Sequence, residues 1–506
     1  MKSRKLFLAA LVTTLGINMG CIQAQQPPQA QAPQQPVLNA QRSDKLSVGI
    51  ASYLIIENVD PETWLTSLQQ ANVQAIREGA VWSNIELKKG EYVIPARLET
   101  VVNKAVEKGI SPLLVLGGAK STPSFYGGPR EPDTPEAMEA YTRFCEYVVR
   151  HFKGKVHMYE IWNEWETHNV TRAKMPEHQK TLDAYLTLLK KVYPRLKAID
   201  PSVKILGPVM AGANVRRGQL EYEAQHGLLN YVDGVSFHGY MHKQPLRVER
   251  TPEAWATWML NVESMLRKYS GGKEVPLYIS EIGWPSNASN TSTRKPGVTP
   301  EGERAFLARL YLLAPGLPFI KGVWWYNLFD RVMQRKEGEP IQNYGLVSLD
   351  KKTPKPAFYA LKDVAGLAAQ GKYLGRLPTP DPQLWALKFR RADGQEIWAL
   401  WSTDESNSRQ VTLRRDGQTA QPLQAQRIGS QPTDQKAKLE TTSNQLQLTV
   451  DNVPYLISGN LSGVTIAAVN KGGALTAVQA PDEVSKNKPQ KPHRKNKKKG
   501  LSPVLN

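Results

Sequence analysis

Between residues 45 and 365 the chain repeats one pattern eight times. A short β-rich run gives way to a longer stretch, and most of those stretches carry apolar residues at helical spacing. The runs are 46–50, 73–79, 112–117, 156–162, 203–208, 232–237, 276–281 and 320–326. Helical patterns at 97–108, 135–151, 180–199, 252–269 and 300–313 fall between them. A strand followed by a crossover helix brings the chain back parallel to itself. Eight such units over roughly 320 residues fit one (β/α)8 TIM barrel. Functional side chains of that architecture gather at the carboxyl ends of the strands.

After about residue 370 the helical spacing stops. Runs at 384–389, 396–401, 409–413, 446–450 and 463–468 read as strands between polar turns, so a small β-sandwich is expected at the C-terminus. The expected organisation is a signal peptide at 1–24, a Gln/Pro-rich linker at 25–44, the barrel at 45–370, the β-sandwich at 371–472 and a basic tail at 473–506.

The leader begins Met1-Lys2-Ser3-Arg4-Lys5 and stays apolar to about Met19, which is a secretory pattern and short for a membrane span. Ile22-Gln23-Ala24 offers a cleavage site. Gly20-Cys21 resembles a lipoprotein site, although Asn18 and Met19 depart from that motif. The expectation is an exported protein, periplasmic or secreted, with outer-membrane lipid anchoring at Cys21 as the variant. The second cysteine is Cys145, so neither an intrachain disulfide nor a Cys-based metal site is expected. The formal net charge is +19, and eight Lys/Arg fall between Lys486 and Lys499. A run of this kind is ordinarily a solvated tail. Its expected partners are acidic polysaccharide or an anionic membrane surface, and no nucleic acid is expected for an exported protein. The eight histidines show no paired ligand spacing, and no phosphate loop or dinucleotide fingerprint stands out, so no metal and no cofactor is expected.

Two glutamates carry the chemistry. Glu164 closes Tyr159-Glu160-Ile161-Trp162-Asn163-Glu164, and Glu281 lies in Tyr278-Ile279-Ser280-Glu281-Ile282-Gly283-Trp284. Each follows an apolar run that reads as a buried strand, the fourth and the seventh. Two rigidly held carboxylates, one an acid and one a nucleophile, are what cleavage of a glycosidic bond needs.

At these residues the chain resembles the retaining glycoside hydrolases of clan A, and within them family 39 and related bacterial exopolysaccharide hydrolases. The likeness runs through Arg77-Glu78-Gly79-Ala80-Val81-Trp82, the Asn163-Glu164 pair, His238-Gly239-Tyr240, Ser280-Glu281-Ile282-Gly283-Trp284, Trp324-Trp325-Tyr326 and Lys355-Pro356-Ala357-Phe358. It departs at Trp165, where Pro is frequent, and at Glu78, where Asp is common.

The resemblance implies that Glu164 is the acid/base and Glu281 the nucleophile, about 5–5.5 Å apart as in retaining enzymes. Glu164 should hold its proton near neutral pH through burial and the nearby second carboxylate. Arg77 and Tyr240 should keep Glu281 ionised, Asn163 should bind the sugar 2-hydroxyl, and His238 should orient the network. Trp325 is the expected sugar platform, with Trp324 as its alternative and Trp284 as a further substrate contact. Glu160 reads as structural, and Glu166 as a rival acid in the following loop. The implied function is endo-cleavage of a polysaccharide by double displacement. The alternatives are a β-xylosidase or β-glucanase and, from another class, an inactive carbohydrate-binding protein.

Overall fold

The computed structural model describes residues 38, 42, 44–118, 120–128, 131–170, 175–286, 297–332, 341–417, 422–431, 438–441 and 444–475. The leader, Cys21 and the basic run at 486–499 lie outside the described residues.

Eight strands form a closed parallel barrel in chain order. They are β1 (Ser47–Ala51), β2 (Ala75–Ala80), β3 (Ser111–Leu116), β4 (Met158–Ile161), β5 (Lys204–Ala211), β6 (Gly234–His238), β7 (Leu277–Ile282) and β8 (Ile320–Tyr326). Each expected run overlaps one of them, with ends shifted by up to three residues, and β8 pairs back onto β1. Both faces of these strands are buried, which is why they read as continuous apolar runs. Alternate residues point inward: Ala75, Leu113, Leu206, Tyr278 and Trp324 pack together inside the barrel. Their neighbours, such as Leu114 and Trp325, join the larger core beneath the helices.

Three of the surrounding helices share one local start. Thr134, Thr251 and Thr299 each stand before a proline, and each hydroxyl accepts from a backbone N–H of the first turn. The side chain satisfies a donor the helix itself cannot, and proline supplies the helical φ. These are helices Pro135–His151, Pro252–Tyr269 and Pro300–Leu313. Cys145 is buried in the first of them. Among the described residues no helix is long and apolar enough to cross a membrane.

The C-terminal strands make a six-stranded sheet facing a three-stranded one, all antiparallel. Along Leu384–Arg390 and Glu396–Ser402 the side chains alternate between two cores. Trp385, Leu387, Phe389, Ile397, Ala399 and Trp401 join the barrel's outer core, whereas Leu384, Ala386, Trp398 and Leu400 pack within the sandwich. Polar ties reinforce the junction. Trp401 Nε1 donates to Glu253 Oε1 at 2.8 Å, Arg309 pairs with the same carboxylate through two nitrogens, and Arg304 Nε donates to the Ile428 carbonyl at 2.7 Å.

Candidate active site

Strands β2, β4, β6 and β7 bring six of the expected residues, Arg77, Asn163, Glu164, His238, Tyr240 and Glu281, into one network. Arg77, at the middle of β2, is buried and donates from all three guanidinium nitrogens. Nε reaches Glu160 Oε2 at 2.7 Å, one terminal nitrogen reaches Glu281 Oε1 at 2.6 Å, and the other reaches Asn163 Oδ1 at 2.8 Å. The Tyr240 hydroxyl donates to Glu281 Oε2 at 2.8 Å. Both oxygens of Glu281 are therefore held by hydrogen-bond donors. Arg77 is itself held above its usual range: burial opposes its charge, but Glu160 and Glu281 outweigh that. Asn163 lines the cleft and spends its oxygen on Arg77, which leaves its amide N–H groups as donors.

Glu164 is placed differently from Glu281. Glu281 lies within β7, but Glu164 stands beyond the end of β4, and both Trp162 (φ +67°) and Glu164 (φ +48°) are left-handed. Non-glycine residues there cost roughly 1–3 kcal/mol each and need surroundings that enforce them. Those surroundings are the flanking strands. Trp162 N donates to the Leu116 carbonyl and Glu164 N to the Val209 carbonyl, each at 3.1 Å. Gly117 (φ +83°) gives the Trp162 ring its room, since a Cβ there would lie 2.9 Å from that ring.

His238 joins the two carboxylates. Its Nδ1 lies 2.8 Å from Glu164 Oε1 and 3.5 Å from Glu281 Oε2. The expectation that Glu164 keeps its own proton is corrected here. Burial pushes the Glu164 carboxyl up, but the His238 hydrogen bond and charge, with Lys243 and Arg77, bring it below its usual range. His238 moves the other way. Burial opposes its charge, yet Glu281 and Glu164 raise it above the usual histidine value. The two shifts run in opposite directions across the His238 Nδ1–Glu164 Oε1 contact.

The tryptophan expectations are also corrected. Trp284 and Trp325 are fully buried against each other, with ring centroids 6.0 Å apart. Their indole N–H groups donate to the Arg250 and Tyr344 carbonyls. Trp324 fills the barrel interior. None of the three presents a face to a sugar. The aromatic surface beside the nucleophile comes instead from half-buried Tyr53, Tyr240 and Tyr326. Tyr326 was legible as the next inward-facing residue after Trp324, at the open end of β8.

Glu160 braces Arg77, in keeping with a structural part. Glu166 is not in a loop: it sits in helix Trp165–Val170, buried, accepting from Ala211 N at 2.7 Å and Asn214 Nδ2 at 3.1 Å. Burial pushes its carboxyl from 4.5 to about 7. Between those values the folded chain keeps a proton that the unfolded chain releases, so this group's contribution to stability falls as pH rises. Glu166→Gln keeps the acceptor oxygen and removes the charge. It is expected to gain on the order of 3 kcal/mol in urea unfolding at about pH 8 and almost nothing at about pH 4.5. An equal gain at both pH values would count against a buried, titrating carboxyl. Among the described residues no cluster of three or more His, Cys, Asp or Glu is arranged to hold a metal ion.

No protein-family model and no curated protein matches the chain. Solved structures do. A family 39 glycoside hydrolase from Bacteroides cellulosilyticus aligns with a TM-score of 0.61 at 23% identity, covering 82% of this chain and 81% of that one. A monomeric β-xylosidase from Caulobacter crescentus aligns at 0.57 and 18% identity, covering 85% and 98%. A family 30 endoxylanase from Clostridium papyrosolvens aligns at 0.54 and 12%, covering 84% and 99%. The class defined is a (β/α)8 barrel with an appended β-sandwich. At these identities the likeness to the family 39 and family 30 glycoside hydrolases is one of fold.

Proposed function

We propose that this chain is a retaining glycoside hydrolase acting on a polysaccharide or oligosaccharide by double displacement. The observation that carries the reading is the bridge at His238. One ring nitrogen is within reach of both carboxylates, so their facing oxygens cannot lie farther apart than the sum of those two short spans. That bound on the nearest oxygens supports the ~5–5.5 Å carboxyl separation of a retaining enzyme over the ~6.5–9.5 Å that leaves room for a water. Glu281 attacks the anomeric carbon as a carboxylate held by Arg77 and Tyr240. The proton of the His238–Glu164 pair passes through Glu164 to the departing oxygen. Water, deprotonated by Glu164, then releases the sugar from Glu281. Asn163 donates to the 2-hydroxyl, a contact that strengthens as the oxocarbenium ion develops.

Endo-cleavage of an exported polysaccharide is the finer reading, supported by the secretory leader and by the resemblance to exopolysaccharide hydrolases. Its test is a polysaccharide panel, with products analysed by mass spectrometry and the first-formed anomer read by proton NMR. Retention with internal cleavage supports the whole reading, inversion removes the assignment of Glu281 as nucleophile, and no product from any glycan removes the hydrolase reading.

The shared proton sets the alkaline limb of activity. His238 is raised, so kcat/KM should hold through the ordinary histidine range and fall only above it. In His238→Asn the limb should move down, because the proton then belongs to Glu164 alone. A pH–rate profile with an unmoved limb would remove His238 from the proton path.

A further inference from the structure

We propose, resting on the hydrolase reading, that the sugar held at the point of cleavage is a neutral 6-deoxyhexose. A cavity of about 260 Å³ opens beside the nucleophile. Glu281, Arg77 and Asn163 line it, but Glu164 and His238 do not. The departing oxygen must meet Glu164, so this cavity lies on the other side of the bond and receives the sugar that becomes attached to Glu281.

Three features of its lining define that sugar. The first is charge. The cation among the lining residues is Arg77, whose charge is already met by the paired carboxylates of Glu160 and Glu281. The other carboxyl, Glu78, accepts from Ser52 Oγ and from Leu54 N at 2.7 Å, and burial pushes it up to about 7. A uronate, sulfate or phosphate on the sugar would enter without a counter-charge and would lose its water.

The second feature is a waiting hydroxyl. Ser121 lines the cavity at 2% exposure, and its Oγ, buried beneath that lining, has no partner among the described residues. A buried hydroxyl is ordinarily hydrogen-bonded, and a rotation of the Ser121 side chain towards the cavity would give this one a sugar hydroxyl as its partner. The third is the apolar wall. Ile55 and Ile56 from the loop after β1 face the cavity with Val81 from the end of β2, and Ile56 is 55% exposed. A hydroxymethyl group against this wall finds no acceptor on it and covers less of its exposed apolar surface. A methyl group would cover it, and a pentose would leave it bare.

The test is independent of which stereoisomer is used. Glycans from the panel, including bacterial polysaccharides containing rhamnose or fucose, are digested in ¹⁸O-labelled water, and the labelled reducing-end residue is identified by tandem mass spectrometry. A 6-deoxyhexose is expected. A labelled hexose, pentose or uronic acid overturns the proposal while leaving the hydrolase reading intact. In parallel, 4-nitrophenyl glycosides differing only at C6 are compared, as β-D-fucoside against β-D-galactoside and α-L-rhamnoside against α-L-mannoside. Whichever pair is accepted should favour the deoxy member by about tenfold or more in kcat/KM. Ile55→Asn should bring that ratio towards parity, with the folded state checked by circular dichroism; a ratio near one in the wild type overturns the proposal. If nothing is hydrolysed, the hydrolase reading has failed. The pocket is then judged by saturation-transfer NMR with the methyl glycosides of the same pairs, where a failure to prefer the deoxy sugars overturns it.

Discussion

Glu281→Ala is expected to abolish turnover on every glycoside, because no other carboxylate can form the intermediate. Glu164→Ala should behave differently. It should lose roughly 10²–10⁴-fold on substrates with poor leaving groups, which need the proton, and far less on activated aryl glycosides. Azide should restore part of the Glu164→Ala rate by attacking the glycosyl-enzyme in place of activated water. It should leave Glu281→Ala without a glycosyl-enzyme to attack. Steady-state rates on a leaving-group series, with and without azide, separate the two roles. Equal losses on an activated substrate with no azide effect would refute the assignment.

Arg77→Met should be the most damaging substitution for the folded state. It leaves Glu160, at 0% exposure, without its partner, and it loosens Glu281 and Asn163 together. Breaking a buried pair from one side costs roughly 3–5 kcal/mol. The double variant Arg77→Met/Glu160→Gln removes the stranded charge. It should recover much of that loss in urea unfolding while remaining inactive, since Glu281 still lacks its guanidinium. Recovery of activity alongside stability would show that Arg77 acts only as a scaffold.

The barrel was legible because its signal is periodic and redundant. Eight apolar runs buried on both faces stand out whatever the identity of each residue, and the Thr-Pro starts mark three of the helices. Strands such as Leu423–Arg427 and Tyr455–Gly459 escaped notice because each is short, and the first buries only small or isolated apolar residues between glutamines. At the site, the motif residues Arg77, Asn163, Glu164, His238, Tyr240 and Glu281 were found where strand ends converge. The tryptophans misled because strand parity has two buried answers in a barrel. Trp324 goes inside, Trp325 goes under the helices, and only the residue at the open end, Tyr326, approaches the cleft. Neither the left-handed backbone at Trp162 and Glu164 nor the contact between Glu164 and His238 has a local sequence signature. Both depend on partners that the fold brings from β3, β5 and β6.

Glu253 also bears on how such a chain can be rearranged over evolutionary time. Its carboxylate accepts from Arg309 in the barrel and from Trp401 in the sandwich, while Trp385 and Trp401 stack at 5.6 Å within the barrel's own outer core. The sandwich is therefore not an interchangeable module. Recombination that gave this barrel a different C-terminal partner would have to supply a new apolar cover and a new donor for Glu253 in the same event. Replacing one part alone would strand the Glu253 carboxylate and bare the face that Trp385 and Trp401 cover.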